Sequence, residues 1–138
     1  TYTSSKKSIA TVNAYGEVKA KKPGVTQITV VSSNGKAAVC QVIVKPAKVT
    51  KLKKAKAGSS AISLKWKKQA GVSGYKVYVY NAKTKKYKLY KSTKSNKITV
   101  KKLKGKTTYK FKVKAYKKTA SGTLTGVASK TLSVKTKK

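Results

Sequence analysis

The side chains that could do chemistry in this chain are almost all of one kind. The 138 residues include 36 lysines, no arginine, no histidine and one acid, Glu17, together with one thiol, Cys40. A carboxylate pair, a serine–histidine–aspartate triad and a cysteine–histidine dyad all need residue types that are missing here. Metal sites lack ligands for the same reason. We therefore expect no catalytic residue, no metal site and no cofactor, and we classify the chain as not an enzyme.

The lysines leave a formal net charge of +35. One carboxylate cannot offset that charge, so the folded chain repels itself and attracts polyanions. A lysine near an anionic surface gains on the order of 1 kcal/mol. An anionic partner is therefore one hypothesis for the role of the lysines. No segment approaches the roughly 18 consecutive apolar residues of a membrane span.

Cys40 has no second cysteine with which to form an internal disulfide. In the run from Val39 to Val44 it shares parity with Val42 and Val44, while Gln41 falls on the other face. This pattern predicts a buried thiol that acts as a small hydrophobic side chain. An intermolecular disulfide or a reactive thiol is the alternative.

The lysines are distributed unevenly along the chain. Seven lie in residues 1–45 and 29 in residues 46–138, with Pro46 at the point of change. Such a shift in charge marks a domain boundary. We therefore predict two domains, 1–45 and 46–138.

The first domain reads as four strands without a helix. Asn34-Gly35 between the last two strands is a strong hairpin signal. The predicted strands are Ile9–Val12, Glu17–Ala20, Val25–Ser32 and Lys36–Val44.

Three of these segments share a pattern with a known family. Ile9–Val12, Gly16–Ala20 and Pro23–Val30 resemble the second half of a bacterial immunoglobulin-like domain of group 2. The first strands of that family would precede Tyr2. We expect them to belong to a preceding part of the natural protein; the alternative is that another chain supplies them by β-strand addition.

The second domain reads as seven short strands with turn signals between them, which is typical of an all-β sandwich. The predicted strands are Val49–Ala57, Ala61–Lys67, Tyr75–Tyr80, Lys86–Ser92, Asn96–Val100, Thr108–Lys117 and Val127–Thr136.

A second resemblance covers nearly all of this domain. It rests on Val49 with Leu52, Ile62-x-Leu64-x-Trp66, Gly74–Tyr78, Leu103 before Tyr109, and Thr108–Tyr116. These residues resemble a fibronectin type III domain, which implies a core tryptophan and a tyrosine corner at Tyr109 whose hydroxyl bonds back to the backbone. The fold class we predict is all-β: immunoglobulin-like β-sandwiches in tandem, a partial bacterial Ig-like domain followed by a seven-stranded fibronectin type III domain.

The pairing of these two module types resembles secreted or wall-attached proteins of Gram-positive bacteria. There such modules act as spacers, adhesion units or accessory binding units, so the resemblance implies an extracellular or cell-surface location. Integrin binding is not implied, because no RGD tripeptide is present.

The alternation of the strands places basic and aromatic side chains on one outward face. If Val77 and Phe111 point inward, the even-numbered residues of their strands point outward. The predicted face consists of Lys76, Tyr78, Tyr80, Lys110, Lys112 and Lys114, extended by Lys86, Lys88 and Tyr90.

This face has a plain interpretation and a functional one. Lysines are ordinary solvent-facing residues that cover apolar surface and protect strand edges. Alternatively they bind anionic cell-wall polymers or acidic glycans, with tyrosines stacking on sugar rings. Nucleic acid is disfavoured, since without arginine there are no bidentate phosphate or base contacts. An accessory polysaccharide-binding module of a larger secreted hydrolase is a further hypothesis.

Overall fold

A computed structural model describes residues 1–138, which form thirteen β-strands and no helix. The chain therefore has no helix suited to spanning a membrane. The strands are β1 Tyr2–Ser4, β2 Ala10–Val12, β3 Val18–Ala20, β4 Gly24–Val31, β5 Ala37–Val44, β6 Lys53–Ala57, β7 Ile62–Lys65, β8 Gly74–Asn81, β9 Lys86–Thr93, β10 Lys97–Val100, β11 Thr108–Thr119, β12 Gly122–Thr125 and β13 Leu132–Lys135.

The first five strands form two small antiparallel layers, β1–β4–β5 and β2–β3. The turn between β2 and β3 is stabilised by the Asn13 side-chain oxygen, which accepts the backbone N–H groups of Tyr15 and Glu17. Gly16 supplies the positive φ of +84° in this turn. The prediction of four strands was wrong by one. β1 was missed because its three residues carry no alternation of their own, and its pairing with Ile28–Val30 of β4 defines it.

Cys40 is exposed, so the prediction of a buried thiol was wrong. The parity argument identified the correct face, because Cys40 lies opposite Ile28, which is only 7% exposed. However, β5 is eight residues long and forms the edge of its sheet, whereas the facing layer consists of two three-residue strands. A strand face is buried only where a second layer covers it.

The remaining strands form the predicted sandwich. One sheet has the order β10–β7–β6, and the other has the order β12–β11–β8–β9 with β13 paired to β11. All pairs are antiparallel. The first predicted strand is shorter than expected: β6 begins at Lys53, because Lys51 has a φ of +57° that interrupts an extended conformation.

The last predicted strand, Val127–Thr136, was also wrong in part. Only residues 132–135 of it form a strand, β13, whereas residues 126–131 lie outside the ladder, and β12 precedes the predicted strand. Between β12 and β13 the Ser129 hydroxyl accepts the backbone N–H of Val113. The hydroxyl oxygen thus replaces the carbonyl oxygen that a neighbouring strand would supply. β12 pairs with β11 through a tight hairpin that closes at Gly122, whose φ is +127°. The alternation pattern alone did not predict this hairpin.

The core of the sandwich lies between the two sheets and contains twelve buried residues. Phe111 and Val113 of β11 and Val77 of β8 are fully buried. Trp66 packs edge-on against Tyr75 with ring centroids 5.3 Å apart. The core tryptophan that the resemblance implied is therefore confirmed at Trp66, which is 3% exposed.

The tyrosine corner is also present. The Tyr109 hydroxyl accepts the backbone N–H of Lys104 at 2.9 Å, and Leu103 packs against the core beside it. The bond anchors the connection that leads into β11, the strand on which most of the second sheet is assembled.

Replacing the corner hydroxyl tests this anchor. We expect Tyr109→Phe to lower the free energy of unfolding by about 1 kcal/mol, because one hydrogen bond is lost. Trp66 is the only tryptophan, and it is buried in this sandwich, so its fluorescence during urea unfolding reports this domain. Tyr80→Phe, at a hydroxyl without a protein partner, is the matched control and should change stability by less than about 0.5 kcal/mol. Equal effects of the two substitutions would contradict the anchor.

Candidate functional site

The register between β8 and β11 brings six of the predicted site residues onto one face. Lys112 lies opposite Tyr78, and Lys114 opposite Lys76. The residues that alternate with them are in the core, so these side chains project from the other side of the sheet. The six residues are Lys76, Tyr78, Tyr80, Lys110, Lys112 and Lys114.

The other three predicted residues do not join this face. In β9, Tyr87 pairs with Tyr80 and Leu89 pairs with Tyr78, which puts Lys86 and Lys88 on the opposite parity. A bulge after these pairs shifts the strand again. Tyr90 accepts the N–H of Lys101, next to β10 of the other sheet.

The prediction for β9 failed because its outward face is apolar in part. From sequence alone, a leucine that alternates with lysines is expected to point into the core. Leu89 is instead 46% exposed. The turn at residues 82–85 could have predicted the correct pairing. If Asn81 and Lys86 flank this turn as partners, then Tyr80 pairs with Tyr87. Tyr87 is thus a member of the face that strand alternation missed. Tyr116 is the next even-numbered residue of β11 after Lys114, and its ring lies below the ammonium group of Lys76. We call the six residues together with Tyr87 and Tyr116 the tyrosine–lysine face.

A lysine ammonium group lies over each tyrosine ring of this face. Such cation–π contacts stabilise exposed sites by about 0.5–1 kcal/mol each. The rings of Tyr80 and Tyr87 also contact one another, with centroids 5.2 Å apart. The distances from Nζ to ring centroid are 5.4 Å for Lys76 and Tyr116, 5.3 Å for Lys110 and Tyr80, 4.5 Å for Lys112 and Tyr87, and 5.4 Å for Lys114 and Tyr78.

This arrangement changes what the face offers to a ligand. The lysines occupy ring surface that a sugar would need for stacking, and the rings in turn offset part of the repulsion between the lysines. The face therefore presents positive charge more than free aromatic surface.

No internal acid neutralises these charges. Glu17 lies in the turn between β2 and β3, where its carboxylate accepts a hydrogen bond from the Asn13 side chain at 2.6 Å. The chain also holds no group of three or more histidine, cysteine, aspartate or glutamate side chains that could bind a metal ion. The tyrosine–lysine face therefore offers a ligand ammonium and phenol groups.

The fold and this surface together define a class: β-sandwich modules with a charged exterior. The chain belongs to the fibronectin type III domain family, whose model matches residues 47–131. Residues 1–42 match the bacterial Ig-like domain of group 2. Both resemblances drawn from the sequence are confirmed, and both families consist of modules that are typically not catalytic.

Solved structures agree with the fold. The fibronectin type-III domain of human fibronectin type III domain containing protein 3 is 25% identical, with a TM-score of 0.58 over 70% of this chain and 90% of that chain. Chitinase ChiA74 from Bacillus thuringiensis is 28% identical, with a TM-score of 0.52 over 65% of this chain but only 13% of that chain. Domains A168–A170 of titin align with all of this chain and 55% of their own, at 17% identity and a TM-score of 0.56. A search of curated proteins found no match.

A double-mutant cycle tests the cation–π pairing. We expect Lys112→Gln and Tyr87→Leu to be coupled by about 0.5–1 kcal/mol in the free energy of unfolding, because each substitution removes the same contact. Lys112→Gln combined with Tyr90→Leu, which lies off the face, is the control and should be additive within about 0.5 kcal/mol. The measurement is again urea unfolding followed by Trp66 fluorescence. A coupling no larger than that of the control would show that Lys112 and Tyr87 act independently.

Proposed function

We propose that this chain is a non-catalytic extracellular module pair that spaces or holds a larger protein at a bacterial cell surface. Attraction between its lysines and anionic cell-wall polymers assists this role. The observation that supports the proposal is the charge of the fibronectin type III part, in which residues 46–138 contain 29 lysines and no acid. The bacterial Ig-like match agrees with a location outside the cell.

The chemistry of the lysines favours flexible phosphate or carboxylate polymers over nucleic acid. An ammonium group is a point charge that can follow a mobile anion, whereas base recognition relies on the fixed fork of arginine. Arginine is absent from this chain. Because the tyrosine faces are occupied by lysines, stacking contributes little to this mode of binding.

Binding to purified cell walls tests the proposal. We expect the protein to sediment with walls that contain teichoic acid and to remain in solution with walls from which it has been extracted. The bound fraction should fall several-fold as salt rises from about 50 to about 500 mM, because the attraction is screened. Equal binding to both wall preparations, or no binding at low salt, would contradict the electrostatic part of the proposal.

A second candidate is an accessory module of a secreted hydrolase. It is supported by the 28% identity to part of Chitinase ChiA74, a chain of which this one spans only 13%. In this role the module binds or presents polysaccharide to a catalytic domain elsewhere in the same protein.

Affinity electrophoresis separates the two candidates. An accessory polysaccharide-binding module should be retarded by at least one neutral glycan such as chitin oligomers or glucan, and the retardation should persist when salt screens charge. Retardation by acidic glycans alone, lost at high salt, fits the spacer with polyanion attraction. The catalytically inert protein bovine serum albumin serves as the mobility reference in each gel.

A further inference from the structure

A second cluster of lysines lies on the opposite sheet, β10–β7–β6. Lys65 of β7 is the cross-strand partner of both Lys53 of β6 and Lys97 of β10. Since Leu64, next to Lys65, is fully buried, the lysines project to the outside, and all three are exposed. We call Lys53, Lys65 and Lys97 the lysine row.

Hydroxyl groups accompany this row. One step along the strands, Ser63 lies opposite Thr99, and their hydroxyl oxygens are 3.0 Å apart. These hydroxyls, Lys65 and Lys97 line a shallow depression of about 460 Å³, together with Ser95. The depression therefore combines two lysines and three hydroxyl groups with Ala55, Leu64 and Ile98. Lys53 does not line it but is the cross-strand partner of Lys65.

The lysine row is unfavourable for folding. Directly opposed residues of antiparallel strands have Cα atoms only about 4.5–5.5 Å apart, and like charges in such positions destabilise a sheet. Two opposed pairs share Lys65. The row therefore concentrates three positive charges across three neighbouring strands.

The two lysine clusters differ in what compensates them. Every cation–π contact of the chain belongs to the tyrosine–lysine face on the other sheet. The paired outward positions of β6, β7 and β10 are Lys53, Lys56, Ser63, Lys65, Lys97 and Thr99, and the bulged Ala55 is exposed beside them. Repulsion in the lysine row is thus relieved neither by an aromatic ring nor by the single acid, which is bonded in the turn at Asn13. An external anion would relieve it.

We propose that the lysine row and the adjoining hydroxyls form a binding site for the phosphate groups of a linear polyol-phosphate polymer. Neighbouring ammonium groups can converge on one phosphate, and charged hydrogen bonds of this kind are the stronger ones. Ser63 and Thr99 share one hydrogen bond, so one of the two hydroxyls remains free to donate to a phosphate oxygen or a polyol hydroxyl. The lack of aromatic side chains on this face disfavours polymers that bind by stacking of bases or sugar rings.

This inference rests on the proposed function and identifies the site and the ligand chemistry for it. It also differs from the prediction made from the sequence, in which the candidate residues lay on the other sheet. The physical reason is that the tyrosine–lysine face is compensated within the chain, whereas the lysine row is not.

The test compares two variants that lose the same charge. The first is Lys53→Gln, Lys65→Gln and Lys97→Gln, and the matched control is Lys110→Gln, Lys112→Gln and Lys114→Gln. The probe is synthetic poly(glycerol phosphate) of defined length, with binding measured by calorimetry at several salt concentrations. We expect the row variant to bind about tenfold more weakly, with a salt slope lowered by about two, and the control to bind less than about threefold more weakly.

A readout without ligand separates the two clusters further. The row variant should unfold at a higher urea concentration than the natural sequence, because opposed like charges have been removed. The control variant should show no such increase, since it loses three cation–π contacts along with its charges.

The outcomes are distinguishable. If both variants weaken binding equally, net charge alone acts and the site is wrong, while the proposed function stands. If the natural sequence does not bind poly(glycerol phosphate) at low salt, the site and the electrostatic part of the proposed function are both wrong. If heparin or duplex DNA binds more tightly than the probe with the same dependence on the row, the assignment to a polyol phosphate is overturned.

Discussion

The second sandwich depends on the register between β8 and β11. With this register Phe111, Val113 and Ala115 are fully buried, and Lys110, Lys112 and Lys114 lie outside. A shift by one residue would exchange the two sets, because side chains alternate with a period of two. Three unpaired ammonium groups would then enter a core that offers them no acid, which is far more unfavourable than any gain in pairing. The lysines therefore help to specify the fold as well as to charge its surface.

Once the lysines are outside, their mutual repulsion remains, and the two sheets deal with it differently. On the five-stranded sheet each of four lysines lies over a tyrosine ring, so the aromatic residues serve the fold before any ligand. On the three-stranded sheet three lysines lie opposite one another, and all cation–π contacts belong to the other sheet. A surface that looks uniformly basic in composition is thus divided into a compensated and an uncompensated region. The proposal of a binding site at the lysine row rests on this difference and not on the number of lysines.

Properties within one strand were well predicted from the sequence, and properties that depend on a second strand were not. The alternation in β8 and β11 placed six of the nine predicted site residues correctly with respect to the core, and the family motifs located Trp66 and the Tyr109 corner. The phase of β9 was wrong because its pairing partner and bulge decide it. Cys40 was wrong because burial requires a covering layer. The lysine row was not predicted because Lys53, Lys65 and Lys97 are far apart in sequence. They become neighbours only because β6 and β10 both pair with β7.

The same charge bears on the most vulnerable edge of the molecule. β5 is an eight-residue edge strand without charge, and Val39 and Ile43 on it are 60% and 52% exposed. Such an edge invites pairing with another strand, and proteins usually protect it with charges on the strand itself. Here lysines occur only beyond its two ends, at Lys36 and Lys45. Repulsion between copies that each carry +35 takes over this protection. Because that repulsion acts over a distance set by salt, the protection of this edge weakens as salt concentration rises.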